Sequence, residues 1–379
     1  MDVKHLIISG YYGFGNAGDE AILCSILALL RDGARETGEE LRFTVLSADP
    51  ATTAEKLNVQ AVGRTDLRRI IGAMRQADAL LSGGGGLLQD VTGRSLSVAY
   101  YLGLVLLARL LGLPAILYAQ GIGPVTRPFN RLLVRLLANR ATFISVRDEA
   151  SRRELRDMGV TRPPVTVTAD PVFALTAADS PKVAAFLEKL ASGVPRVGIS
   201  VRPWPGGGRY LAEIAAAADR LAVELSAQMV LLPLYPVKDL PACRELADLL
   251  RAPSVILEEE LTPRELLSVF AHLDLVLAMR LHALIFAAKA GLPMVGIGYD
   301  PKVEALLLRL GLAKPAPPAE ATAGQLADEA LALWARREET GQRLLEASIT
   351  AAAEARRLAR EALALIGMQA VSGQAENRQ

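Results

Sequence analysis

The residues best suited to chemistry stand late in the chain. Ala278–His282 (AMRLH) joins an apolar strand to a helix, and Tyr299–Lys302 (YDPK) follows the next strand. Arg280, Leu281 and His282 thus fall at one strand-to-helix junction and Lys302 at its neighbour. Both junctions lie at the carboxyl edge of a sheet, where open α/β sheets take ligands. A lone histidine is usually structural. One with an arginine beside it and a lysine at the neighbouring strand end is a candidate for binding and proton transfer. Arg147 (in SVRD, Ser145–Asp148) and Arg202 (in ISVRPW, Ile199–Trp204) end two further apolar strands. A guanidinium placed there needs an anion, either a neighbouring carboxylate such as Asp148 or a ligand. Arg147, Arg202, Arg280 and Lys302 would place four cations around one interdomain cleft, and the expected substrate is small and highly anionic.

Three glycine-rich turns follow strands in the first half. Gly10–Asp19 (GYYGFGNAGD) leads into a helix, but its glycines do not have the dinucleotide spacing, and an acid at Asp19 would repel a pyrophosphate. Asn16 and Asp19 read as hydroxyl binders or as helix caps. Ser82–Asp90 (SGGGGLLQD) exposes backbone at Gly84 and Gly85, more glycine than a tight turn needs. Gln120–Pro124 (QGIGP) is either a plain turn or a third ligand loop. Asn16, Asp19, Gly84, Gly85 and Gln120 are taken as the side of the site that binds a second, hydroxyl-bearing ligand, the acceptor if the reaction is a transfer. No metal is expected. The histidines His5, His272 and His282 lack ligand spacing, Cys24 and Cys243 cannot build a zinc site, and no Asp/Glu cluster accompanies the cations to hold magnesium.

These residues need a scaffold of parallel sheets. The chain has 379 residues, 51% hydrophobic and 22% charged, with a net charge of +1. That suits two globular domains and disfavours a membrane bundle, a disordered chain or a nucleic-acid binder. Continuous apolar strands alternate with helices: Val3–Ser9, Leu41–Ser47, Ala77–Ser82, Pro114–Gln120, Ala141–Val146 and Val165–Thr168. After Ser180–Val194 the pattern restarts with Arg196–Val201, Met229–Pro233, Ser254–Glu258, Asp274–Ala278 and Met294–Gly298. Such alternation marks sheets covered on both faces. A helix–Gly-Leu-Pro–strand unit recurs at Leu106–Gly123 and Leu284–Gly298. The fold class is therefore α/β with two Rossmann-like domains. The expected boundaries are 1–180 and 195–314, then a linker Pro315–Thr322, a long helix over 323–366 broken near Thr340, and a disordered tail over 369–379.

The segments GYYGFGNAGDEAIL, SGGGGLLQD, YAQGIGP, ISVRD, GISVRPW, MRLHALIFA and YDPK together resemble the polysaccharide pyruvyl transferase family, in particular its bacterial CsaB-type members. The resemblance spans about residues 3–305. It implies a GT-B type fold, with two Rossmann-like domains facing a cleft. It implies transfer of the pyruvyl group of phosphoenolpyruvate, a co-substrate and not a cofactor, to two hydroxyls of a sugar as a cyclic ketal. The implied acceptor is an N-acetylmannosamine unit of a lipid-linked secondary cell-wall polysaccharide precursor, and the implied role is S-layer anchoring. Arg147, His282 and Lys302 carry over as essential positions, and Arg280 and Leu281 as donor contacts. Arg202 joins the donor side by its placement alone. His282 is the candidate general acid/base, because imidazole titrates near neutral pH.

Two rivals share these features. A nucleotide-sugar glycosyltransferase of the same fold often carries a glutamate on the helix after the donor loop, whereas Leu281–Ala290 contains no Asp or Glu. A non-catalytic sugar- or anion-binding protein would bind without turnover. No secretory signal or spanning segment is read, so a cytoplasmic enzyme is expected. Asn130–Arg140, apolar with interleaved arginines, reads as a sheet-covering helix with a solvated basic edge. Peripheral contact with the inner face of the membrane is the other reading. The oligomeric state is left open.

Overall fold

A computed structural model describes residues 3–91, 96–205 and 208–367. The chain divides into two compact units. The first takes Met1–Phe14, Ile22–Ala174 and Ala351–Gln379, and the second takes Gly15–Ala21 and Leu175–Thr350. The expected tail over 369–379 lies outside the described residues.

The first unit holds a seven-stranded sheet of β1 (Val3–Ser9), β2 (Glu40–Ser47), β3 (Gln60–Gly63), β4 (Ala79–Gly83), β5 (Ala115–Gln120), β6 (Phe143–Val146) and β7 (Val165–Val167), in the order β3-β2-β1-β4-β5-β6-β7. The second holds β8 (Arg196–Ser200), β9 (Gln228–Leu231), β10 (Ser254–Ile256), β11 (Leu275–Ala278) and β12 (Met294–Gly296), in the order β10-β9-β8-β11-β12. Every strand pair is parallel. Each sheet therefore gathers its strand carboxyl ends along one edge, and its strand order reverses once, at β1/β4 and at β8/β11. Such reversals open the crevice in which α/β folds bind ligands. Ile7, Leu80, Leu102, Val105, Leu117 and Ile144 are fully buried at the centre of the first core. That burial explains why the strands are legible as unbroken apolar runs.

The repeated Gly-Leu-Pro unit has one geometry in both places. Gly112 and Gly291 end their helices at φ +80° and +67°, the left-handed stop that glycine supplies without a Cβ clash. Some elements lack a clear sequence signal: β3, the helices Pro50–Leu57 and Pro181–Leu187, and a 3₁₀ turn over Pro171–Ala174. Others differ in detail. The helix expected over Asn130–Arg140 is an α-helix over Pro128–Leu133 running into a π-helical turn over Val134–Ala138. The C-terminal helix is two, Ala323–Ala335 and Arg337–Leu365, and the expected break falls at Arg336, about one turn before Thr340.

Asp90 ties the first unit's loops together. Its carboxylate is buried and accepts from Thr126 N (2.8 Å), Thr126 Oγ1 (2.9 Å), Arg127 N (2.9 Å) and Asn130 Nδ2 (3.0 Å). Burial alone would raise its pKa, but the four donors outweigh that and hold the carboxyl at about 2. A carboxyl held below its unfolded value adds stability at neutral pH that is lost as pH falls through the folded value. Asp90→Ala leaves the buried Asn130 amide and the part-buried Thr126 and Arg127 donors without their acceptor, and is expected to cost about 2 kcal/mol in urea unfolding at pH 7. The gap to wild type should narrow as pH falls from about 4 towards 2. A constant gap would place the loss elsewhere.

Candidate active site

In the second unit, Arg202, Arg280, Leu281, His282 and Lys302 all follow the carboxyl ends of β8, β11 and β12, three adjacent strands. Arg280 is the N-cap of the helix Leu281–Lys289. Its guanidinium is not free for a ligand on all sides. Nε donates to Asp239 Oδ2 (2.9 Å), and Nη2 donates to Asp239 Oδ1. Asp239 is fully buried and also accepts from Tyr235 N (2.8 Å). Burial pushes its carboxyl up from the ordinary value, and the Arg280 guanidinium opposes that shift. Arg202 lies over the ring of Tyr299, 4.4 Å from its centroid, and Tyr299 meets Trp204 edge to face. Lys302 stands in the first turn of the helix Pro301–Arg309, where its N–H donates to the N-cap Asp300 (3.0 Å).

The segment Gly15–Ala21 joins this group. Ala17 N donates to Leu234 O (2.8 Å) just after β9, which seats the start of the helix Ala17–Thr37 in the second unit. Asn16 caps that helix: its carbonyl accepts from Glu20 N (3.0 Å) and its Oδ1 from Gly18 N (3.3 Å). The helix thus starts earlier than expected, and the cap is Asn16 and not Asp19. Asp19 sits within the first turn and accepts from Asn16 Nδ2. Gly18 explains the motif's last glycine, since a Cβ there would lie 2.2 Å from His282 Nδ1. The imidazole therefore rests on the backbone of this turn, and the amino ends of two helices meet at His282. Amino ends of helices favour anions.

Gly18→Ala should displace the imidazole; if His282 takes part in the chemistry, activity should fall about tenfold or more, a loss typical of a misplaced reacting group. Gly72→Ala, whose Cβ meets nothing, serves as control. Equal activity of the two variants would separate His282 from the chemistry.

In the first unit, Arg147 ends β6 and is buried. Its partner is Asp170 (Nη1 to Oδ2, 2.9 Å), not Asp148, which instead caps the helix Glu149–Asp157 through Ser151 N (2.6 Å). The guanidinium lies against Gly121, where a Cβ would come within 2.6 Å. Gln120 is fully buried, and its Nε2 donates to Ser82 O (2.8 Å) and Ser82 Oγ (3.0 Å), bridging the ends of β5 and β4. Gly84 and Gly85 are buried and do not expose backbone as expected; they have φ of +64° and +74°, and a Cβ on Gly84 would strike Ile22. Tyr12 folds over Gly10 and donates to Gly83 O. Close packing between the loops thus accounts for much of this glycine.

Asp239 and Asp170 lower the net positive charge at these strand ends. Arg147 and Arg280 each carry a buried carboxylate, so the protein's own acids already offset part of that charge. Neither aspartate has a local signal in the sequence, because each meets its arginine only through the fold.

A family model described as polysaccharide pyruvyl transferase matches residues 16–301, which includes Arg147, Arg202, Arg280 and His282 and stops just short of Lys302. The chain belongs to the polysaccharide pyruvyl transferase family. It is a transferase of GT-B type fold. Among solved structures, Staphylococcus aureus MnaA with UDP is similar at TM-score 0.65 and 14% identity, covering 96% of this chain and 97% of that one. Anabaena HepE with UDP-glucose aligns at TM-score 0.64 and 14% identity, over 95% and 99%. UDP-GlcNAc 2-epimerase from Neisseria meningitidis bound to UDP-GlcNAc aligns at TM-score 0.62 and 14% identity, over 96% and 100%. At these identities the likeness is one of fold. No curated protein matches the sequence.

Proposed function

We propose that this transferase moves the pyruvyl group of phosphoenolpyruvate onto two hydroxyls of an amino sugar, N-acetylmannosamine, in a lipid-linked secondary cell-wall polysaccharide precursor. The product would be a cyclic ketal of the kind that anchors S-layer proteins. The observation that carries the reading is the set Arg202, Arg280, His282 and Lys302 at adjacent strand ends in a member of this family. Phosphoenolpyruvate bears a carboxylate and a phosphate, the groups that guanidinium and ammonium recognise.

Each residue has a task in this scheme. Arg280, clamped through Nε and Nη2, offers the remaining edge of its guanidinium to the donor. Arg147 of the first unit, also held by a carboxylate, is proposed as an anion-binding residue. Lys302 is a point charge for the departing phosphate. Protonation of the donor's methylene carbon creates an oxocarbenium-like centre. One sugar hydroxyl adds to it and phosphate leaves. The second hydroxyl closes the ring. One hydroxyl proton balances the new methyl group and the other leaves with phosphate. His282 is assigned the proton transfers. Asn16, Asp19, Gly84, Gly85 and Gln120 are the proposed acceptor side. Gln120 and its partner Ser82 are both buried, so Gln120 would act there by holding the ends of β4 and β5 in place.

A phosphate-release assay with phosphoenolpyruvate and a panel of amino-sugar glycosides tests the reading. Release that depends on the acceptor is the expected result. Consumption of a nucleotide sugar instead would assign the protein to glycosyl transfer. The absence of a carboxylate in Leu281–Lys289 speaks against that outcome.

A further inference from the structure

We infer that the outward face of residues 127–140 is a docking surface for an anionic lipid membrane. The inference rests on surface chemistry and not on the transfer reaction. This segment turns Asn130, Val134 and Ala138 into the core of the first unit. An ordinary surface helix would then present polar residues outward. Here Phe129, Leu132 and Leu136, at spacings of three and four, are 66%, 49% and 54% exposed. They form an apolar stripe on the opposite side. Arg127, Arg135 and Arg140 are exposed around it. The stretch Arg127–Arg140 contains no Asp or Glu. The nearest acid that pairs with it is Glu154, which engages Arg131 (3.3 Å). None of the other three arginines has a carboxylate within ion-pair distance among the described residues.

Apolar side chains ringed by guanidinium groups match the acyl–headgroup boundary of a bilayer with negative lipids. A second copy of the chain fits less well. A two-fold contact through this face would set three arginines against the same three. No helix among the described residues is long and apolar enough to cross a membrane, so attachment would be to the surface.

Co-sedimentation of the full-length protein with vesicles tests this. Vesicles of phosphatidylcholine alone are compared with vesicles of phosphatidylcholine and phosphatidylglycerol. Binding to the anionic vesicles should be at least about tenfold stronger and should weaken with salt. The triple variant Phe129→Ser/Leu132→Ser/Leu136→Ser should lose about tenfold or more of that binding. Arg127→Gln/Arg135→Gln/Arg140→Gln should abolish the preference for negative lipid and most of the salt dependence. All six side chains are exposed, so unchanged circular dichroism and melting temperature are the expected folding control. The inference is overturned if the wild type does not sediment with anionic vesicles, or if the apolar variant binds as the wild type does. A dimer in analytical ultracentrifugation that the apolar substitutions dissociate would assign the face to self-association instead.

Discussion

His282→Ala is expected to lower pyruvyl transfer by roughly 10²–10⁴-fold, the usual worth of a positioned acid–base group. The imidazole is held by packing: it stands in the first turn of Leu281–Lys289 and rests on Gly18 in the first turn of Ala17–Thr37. Alanine removes the ring and leaves the backbone of both turns in place, so the melting temperature should change little. Binding of phosphoenolpyruvate, measured by calorimetry, should persist, because Arg280 and Lys302 are untouched. Loss of binding in proportion to activity would make His282 a binding residue. Full activity would remove it from the mechanism.

Asp239 is expected to produce the largest stability loss. Asp239→Ala would leave the Arg280 guanidinium, itself only 12% exposed, without its two-point partner. Breaking a buried ion pair from one side costs about 3–5 kcal/mol. It should also free Tyr235 N from its acceptor. Function supplies the sharper test. Arg280→Lys keeps the charge but cannot span both carboxylate oxygens. Each substitution is expected to raise KM for phosphoenolpyruvate by up to about 10²-fold while moving KM for the sugar far less. The double variant should be no worse than the more damaged single one, because the two residues act as a unit. Additive losses would show that Asp239 supports the fold without positioning Arg280.

The sheets were legible because both faces of each are covered. Strands such as Val3–Ser9 and Ala115–Gln120 are buried nearly throughout and read as apolar runs. The edge strand Gln60–Gly63 is only partly buried, so its composition carries no such signal. The cationic set was legible for a different reason: Arg147, Arg202, Arg280 and Lys302 follow strand ends, and parallel topology puts strand ends on one edge of each sheet. Their counter-charges were not legible. Asp239 lies 41 positions from Arg280 and Asp170 lies 23 from Arg147. Within PVKDLPACRE and TADP each looks like an ordinary surface acid. The glycine loops were legible as unusual but their reason was not. Gly18 yields to His282, Gly121 to Arg147, and Gly84 to Ile22, contacts that only the folded chain reveals.

In the proposed reaction the donor's pyruvyl group becomes a ketal on the sugar. Running the reaction with phosphoenolpyruvate and an N-acetylmannosamine glycoside in deuterated water measures that directly, with the product read by NMR and mass spectrometry. The expected product is an acceptor that has gained pyruvate less one water, with a methyl group carrying one deuterium and one phosphate released per product. A product that keeps an intact enol ether, or a sugar that gains a glycosyl group at the expense of a nucleotide sugar, would contradict it.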